Sequence, residues 1–171
     1  LSTGNDKHWS YQDAIALSKT MKPSFEPGSK GKALYSDTNY QLLGKILEKI
    51  SGESLEQLLA TYIFKPLKLN QTYLYKDKSD RIPATMYFKN KPLPIPMAMT
   101  SVWADGGIVS TAEESMVFIE AFFNGKLFPK EDLIEMQQWN KIFFPLQYGI
   151  GIMKFQLPRI FSPFKPMPIL I

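Results

Sequence analysis

Cysteine is absent from the chain. That excludes a disulfide framework, a thiol nucleophile and a thiolate metal ligand, and it leaves the redox compartment open. Histidine occurs once, as His8 in a polar stretch beside Trp9; a single exposed imidazole of this kind is read as inert. No grouping of His, Asp or Glu has metal-ligand spacing, so neither a metal nor another cofactor is expected. Long apolar runs are missing as well, which excludes a membrane-spanning helix, and the opening residues lack the basic-then-apolar layout of a signal peptide. Blocks of one charge sign are also lacking. The 20 Lys and Arg against 16 Asp and Glu give a net +4, but the positives are scattered from Lys7 to Lys165, as on a solvated surface, so no nucleic-acid partner is expected. The chain opens on Leu1 rather than methionine and closes on Ile169-Leu170-Ile171, read as a strand without its neighbour. Both ends are therefore expected to continue in a longer protein. No pattern specifies an oligomeric state.

What is present is the composition of one globular domain or most of one, with 44% apolar and 13% aromatic residues. Ser10 is placed to cap a helix from Tyr11 to Met21, ended by Pro23. Leu42, Leu43, Ile46, Leu47 and Ile50 fall at helical spacing before Gly52, so a helix is expected from Thr38 to Ile50, with Asp37 or Thr38 as its cap. Ala33 to Ser36 is read as a short extended lead-in. Ser54-Leu55-Glu56-Gln57 fits a capping box and predicts a helix from Leu55 to about Ile63, with Pro66 forcing a loop. Between Leu67 and Pro96 the prolines at 83, 92, 94 and 96 leave short strands at best. Asp105-Gly106-Gly107 signals a turn with two residues that tolerate positive φ. Thr111 and Glu114 suggest a second capping box before a helix ending near Asn124-Gly125, and Pro129 suits the start of another running to about Trp139. Tyr148 to Phe155 reads as one strand. Five helices with two or three strands give an α+β chain that is mainly helical.

Tyr35-Ser36-Asp37 is the most informative stretch, because it sets a phenol and a carboxylate at the opening of a helix. The hydroxyl of Tyr35 can sit beside the positive end of the helix dipole, which favours a phenolate. Taken with Phe25-Glu26-Pro27-Gly28, the continuation Thr38-Asn39-Tyr40-Gln41-Leu42-Leu43-Gly44, Ile63-Phe64-Lys65-Pro66-Leu67 and Ala104-Asp105-Gly106-Gly107-Ile108-Val109-Ser110-Thr111, this stretch resembles the serine β-lactamase and D-alanyl-D-alanine carboxypeptidase (penicillin-binding-protein) superfamily, on its class C and esterase-like branch. The resemblance implies the mostly helical middle of a β-lactamase/transpeptidase-like fold with a small flank of antiparallel sheet. It also implies a small-molecule or peptide substrate, hydrolysis of an amide or ester through an acyl-enzyme, and a place outside the cytoplasm.

Acyl transfer by a serine needs a nucleophile, a group to take its proton and donors for the oxyanion. By the resemblance, Tyr35 matches the tyrosine that relays protons. Asp37 stands where the pattern more often has Asn, and an ionised carboxylate accepts hydrogen bonds but cannot donate one to a substrate carbonyl. Asp37 is then protonated, paired with a lysine, simply a helix cap, or the mark of a different substrate. Trp103 and Asp105 are further candidates for substrate contact, with core packing and a turn as their plainer roles. Two Ser-x-x-Lys matches, at Ser29 and Lys32 and at Ser162 and Lys165, lie among glycines and prolines rather than on a helix that would stack Lys over Ser. By the resemblance, which places the Ser-x-x-Lys helix before these blocks and a His-x-Gly strand after them, the nucleophile helix is expected upstream of residues 1–171 and the His-x-Gly strand downstream. The alternative is a non-catalytic domain of the same fold that binds or scaffolds.

Overall fold

The computed structural model describes residues 5–156 and the backbone of 168–170. The chain divides into two compact units, one of residues 1–21 and 36–119, the other of 22–35 and 120–171.

In the first unit, α1 (Tyr11–Thr20) begins with a reciprocal cap. The Ser10 hydroxyl accepts from Asp13 N–H at 3.1 Å, and the Asp13 carboxylate accepts from Ser10 N–H at 2.9 Å, which satisfies two donors a helix start leaves open. Helix α2 (Asp37–Ser51) ends at Gly52, whose φ of 75° is a left-handed stop. Its cap is Ser36, in extended conformation and without a side-chain bond. Asp37, expected at or beside the cap, is the first helical residue, where its charge meets the dipole instead. Residues 33–36 form no strand.

The capping box at Ser54 and Gln57 opens α3 (Leu55–Leu59). The helix then widens into a π turn, Ala60–Phe64, and closes as α4 (Lys65–Leu67). Pro66 thus sits inside helical structure rather than forcing a loop. In the widened turn Lys65 N–H reaches back five residues to Ala60, which relieves the clash a proline ring makes with an α-helical carbonyl four residues back. Short extended pieces follow, β1 (Tyr73–Leu74) and a hairpin of β2 (Tyr87–Phe88) and β3 (Lys91–Pro92). After them come α5 (Pro96–Met99), α6 (Trp103–Gly106) and β4 (Ile108–Val109), which pairs antiparallel with β1. Leu55, Phe64, Leu69, Leu74 and Tyr75 are the buried apolar residues of this unit.

Helix α7 (Ala112–Phe123) opens with Thr111 accepting from Glu114 N–H at 3.2 Å. Only half of the expected box forms. The Glu114 carboxylate turns away to accept from the N–H groups of Asn70 and Gln71 and from the Thr72 hydroxyl. Those bonds hold its proton affinity below the usual glutamate range, the Thr72 contact foremost.

In the second unit, the end of α7 and α8 (Lys130–Met136) accompany a four-stranded antiparallel sheet of β5 (Asn140–Phe143), β6 (Leu146–Tyr148), β7 (Met153–Gln156) and β8 (Pro168–Leu170) in that order. The stretch read as one strand is two. Gly149 N–H donates to Ile152 O at 2.8 Å and Gly151 takes a φ of 72°, so the chain reverses between Tyr148 and Met153. β5 carried no signal strong enough to be expected, and α8 stops three residues short of Trp139. The architecture is α+β, with a helical part and small antiparallel sheets.

Candidate functional site

The junction of α2 with α6 brings together three of the four residues singled out in the sequence. It depends on Gly44. A β-carbon there would lie 2.8 Å from both the Trp103 ring and the Ala104 methyl, so glycine lets the two helices close. One turn before it, Gln41 is buried at 6% exposure. Its amide nitrogen donates to Ser101 O (3.2 Å), Val102 O (3.3 Å) and Asp105 Oδ2 (3.0 Å). One turn beyond Gln41, the Lys45 ammonium lies 4.4 Å from the Trp103 ring centre and 2.7 Å from Glu48 Oε2, a cation–π contact beside an ion pair.

The Asp105-Gly106-Gly107 turn is a single helical turn, and neither glycine uses positive φ. Trp103 does, at 25°. Gly107 is glycine for closeness, since a β-carbon would come within 2.6 Å of Trp103 O.

The N-terminal stretch straps this junction. Asp6 accepts from the N–H groups of Met97 (2.7 Å) and Ala98 (2.8 Å) at the start of α5. The Thr100 hydroxyl gives its proton to Met97 O at 2.6 Å, so His8 Nδ1, 2.7 Å from the same oxygen, must be the donor of that pair. Trp9 N–H donates to Ser101 Oγ at 2.7 Å. Between strap and helices lie two cavities that share Trp9, Gln41 and Ser101 among their walls. One of about 180 Å³ is also lined by Asp37 and Asp105, the other of about 320 Å³ by His8, Lys45 and Trp103.

Burial raises the proton affinity of the Asp105 carboxyl above the usual range, the Asp37 charge adds to that, and the Gln41 bond opposes it. Asp105 Oδ1 is buried without a hydrogen-bond partner among the described residues. A carboxyl with a raised folded value binds its proton more tightly folded than unfolded, so its contribution favours the fold in acid and is lost as pH climbs past the ordinary carboxylate value. Asp105→Asn keeps an acceptor for Gln41 and removes the charge. It should raise the melting temperature at pH 7, with the advantage shrinking as pH falls toward 4, the ordinary range for an aspartate. A thermal scan across pH checks this, and an equal shift at every pH would sink it.

Tyr35 belongs to the second unit. The residue is 40% exposed, and its ring packs edge-on with that of Tyr148 at a centroid distance of 5.9 Å. Ser29 and Lys32 lie in a turn, with the Ser29 hydroxyl donating to Glu26 O at 2.7 Å, so that Ser-x-x-Lys match lacks the helix the chemistry needs. The match at Ser162 and Lys165 lies outside the described residues. Sequence reasoning missed Gln41 and the Asp6-His8-Trp9 strap. Gln41 was within reach, as the polar residue one helical turn after Asp37. Among the described residues no group of His, Cys, Asp and Glu is set to hold a metal, and no helix is long and apolar enough to cross a membrane.

The fold and sequence have known counterparts. The D-stereospecific amidohydrolase from Streptomyces sp. is 27% identical with a TM-score of 0.75, covering 88% of this chain and 46% of that one. The D-amino acid amidase from Ochrobactrum anthropi SV3 is 26% identical with a TM-score of 0.74, covering 88% and 47%. The beta-lactamase of Escherichia coli (strain K12) is 35% identical over 69 residues, 40% of this chain and 18% of that protein. The chain spans about a third or less of the curated relatives it matches and just under half of the two structures. A family model described as Beta-lactamase matches residues 1–151, and on that match the chain belongs to the beta-lactamase family.

Proposed function

We propose that this chain is part of a serine hydrolase that cleaves an amide or ester through an acyl-enzyme, with Tyr35 as its proton relay and Asp37, Trp103 and Asp105 in contact with substrate. The observation that carries this reading is the helix start itself. In a chain of this family, Tyr35 immediately precedes the Ser36 cap of α2, and the residue is 40% exposed rather than sunk in a core. Proton transfer by a positioned side chain asks for that accessibility. The attacking serine, one helical turn from a lysine, and a His-x-Gly strand come in this reading from residues outside the chain. The family match and the chain's share of its relatives' length support that, as does the absence of a helical Ser-x-x-Lys among the described residues.

Asp37 in place of asparagine points away from a substrate whose carbonyl needs an amide donor and toward one that brings its own cation. Two structural counterparts are named for D-stereospecific amide hydrolysis and D-amino acid amides, and a D-aminoacyl amide or ester with a free ammonium is consistent with both points. Such work on small molecules or peptides fits an enzyme outside the cytoplasm.

The second reading, a binding domain without chemistry, is favoured by the same Asp37. One experiment separates them. The 171-residue chain and the longer protein that carries it are treated with a fluorescent penicillin and an activated ester probe, and the labelled residue is mapped by mass spectrometry. The hydrolase reading expects label on a serine of the longer protein and none on the chain alone. Label on the chain alone would misplace the nucleophile, and no label on either would leave the binding domain.

A further inference from the structure

We infer that the hairpin of β2 and β3 is a membrane-surface anchor, its aromatic tip settling into the headgroup region of an anionic phospholipid bilayer. From residue 81 to residue 104 the chain carries three cations, Arg81, Lys89 and Lys91, and neither Asp nor Glu. Two of the three sit at the hairpin end. Lys89 and Asn90 take φ of 47° and 64°, the pair of positive angles that a two-residue turn needs between twisted strands. The Lys89 ammonium lies 5.5 Å from the centre of the Phe88 ring, and none of the three cations is in an ion pair among the described residues.

Apolar surface lies beside that charge. Tyr87 and Phe88 are neighbours in β2, so their rings leave opposite faces of the hairpin, and they are 65% and 62% exposed. Met86, just before them, is exposed as well. Single apolar residues scattered over a surface need no cause. Three in a row beside a turn, bare on both faces, do.

Exposure on both faces selects the partner. A packed protein surface covers one face of a hairpin and leaves the other polar, and an added strand takes an edge. The β3 edge is blocked at Pro92. Leu93 N–H donates inward to Met86 O at 2.8 Å, so the backbone nitrogen of its neighbour Pro92 faces outward, where it has no hydrogen to offer another strand. A bilayer interface meets the tip from every side. Aromatic rings favour headgroup depth, lysine stems lie along apolar surface while their ammonium groups reach phosphate, and clustered cations are drawn to anionic lipid.

The base of the hairpin is stiff. Met86, Pro92 and Leu93 line a cavity of about 360 Å³ together with Met99 and the buried Tyr75. Pro92, Pro94 and Pro96 fix φ at alternate positions of the chain that leaves the tip. Asp80, the carboxylate among those walls, is held at the base by the Tyr73 hydroxyl and Ile82 N–H. The lysines at the tip therefore face outward with no acidic neighbour in either strand.

None of this depends on Tyr35 or on turnover. The test is flotation of the chain, and of the longer protein that carries it, with vesicles of phosphatidylcholine alone and of phosphatidylcholine mixed with phosphatidylglycerol. Both proteins should bind the anionic vesicles roughly a hundredfold more tightly than the neutral ones, each cation contributing about fivefold, and salt at about 1 M should remove most of the difference. Lys89→Gln with Lys91→Gln should weaken anionic binding roughly twentyfold. Lys19→Gln with Lys49→Gln, the same charge change elsewhere in the first unit, should weaken it less than about threefold. Tyr87→Ser with Phe88→Ser should weaken it roughly tenfold or more and leave the melting temperature unchanged; if that pair melts lower, the two lysine pairs decide. Equal binding to neutral and anionic vesicles, full binding by a stably folded serine pair, a loss as large in the Lys19 and Lys49 pair, or no flotation would each overturn the anchor. So would flotation of the chain without the longer protein, in which the tip would then be covered.

Discussion

On the proposed relay role, replacing Tyr35 by phenylalanine in the longer protein should lower the rate of acylation by an ester probe by roughly 10²–10⁴-fold, the contribution of a positioned proton-transfer group. The substitution isolates the oxygen. A phenylalanine ring retains the edge contact with Tyr148, at 5.9 Å between centroids, so packing in the second unit is preserved. Loss should fall on the acylation step rather than on substrate binding, because an interaction needed only in the transition state changes kcat and kcat/KM together. Rapid-mixing kinetics under single-turnover conditions separate the two. Tyr148→Phe serves as the matched comparison, since it removes a neighbouring phenol from the same aromatic pair and should leave the rate within a few-fold. A Tyr35→Phe enzyme that acylates within tenfold of the parent would show that the phenol does not relay the proton, whatever the family resemblance suggests.

How much of this could be read from the sequence depends on whether the signal was local. Caps were legible because each is a contact between residues three apart. Ser10 with Asp13 and Ser54 with Gln57 both form as their spacing dictates. Helix α2 was legible from its apolar period, yet the period misplaced its buried face. Leu43, Ile46, Leu47 and Ile50 are all about half exposed or more, while Gln41 and Gly44 are the buried positions. Those two meet α6 some sixty residues along the chain, and no periodicity reports a partner that far away. The same distance hid Glu114, whose expected bond to its own helix start lost to donors at 70–72. Glycines misled for a related reason. Positive φ is a local requirement and was assigned to 106 and 107, whereas Gly107 and Gly44 are fixed by what stands opposite them. The candidate site was half legible in consequence. Tyr35, Asp37, Trp103 and Asp105 could be named from the order of their motifs and Gln41 was within reach, but Lys45 and the N-terminal strap that complete the cavity walls could not.

Gly149→Ala should be the most destabilising single methyl that can be added to the second unit. Gly149 is buried in the reversal between β6 and β7, and a β-carbon there would stand 2.2 Å from Met136 O. That oxygen ends α8 and accepts from Ile150 N–H at 2.8 Å. The added methyl therefore meets backbone rather than a side chain that can turn aside, and moving the carbonyl breaks the bond that ties helix to hairpin. Overpacking costs about 1–3 kcal/mol, and loss of the Ile150 to Met136 hydrogen bond adds about 0.5–1.5 kcal/mol, which together put the loss at about 3 kcal/mol. For a domain of this size that lowers the melting temperature by roughly 6–12 °C. Gly151 provides the contrast. Its φ of 72° makes alanine strained there, but the nearest atom to an added β-carbon is Met136 Cε at 3.8 Å. Gly151→Ala should therefore cost only the backbone term of about 1–2 kcal/mol. Differential scanning calorimetry of the two variants ranks close approach against backbone angle, and Gly151→Ala melting at or below Gly149→Ala would mean that α8 does not seat against the hairpin through Met136.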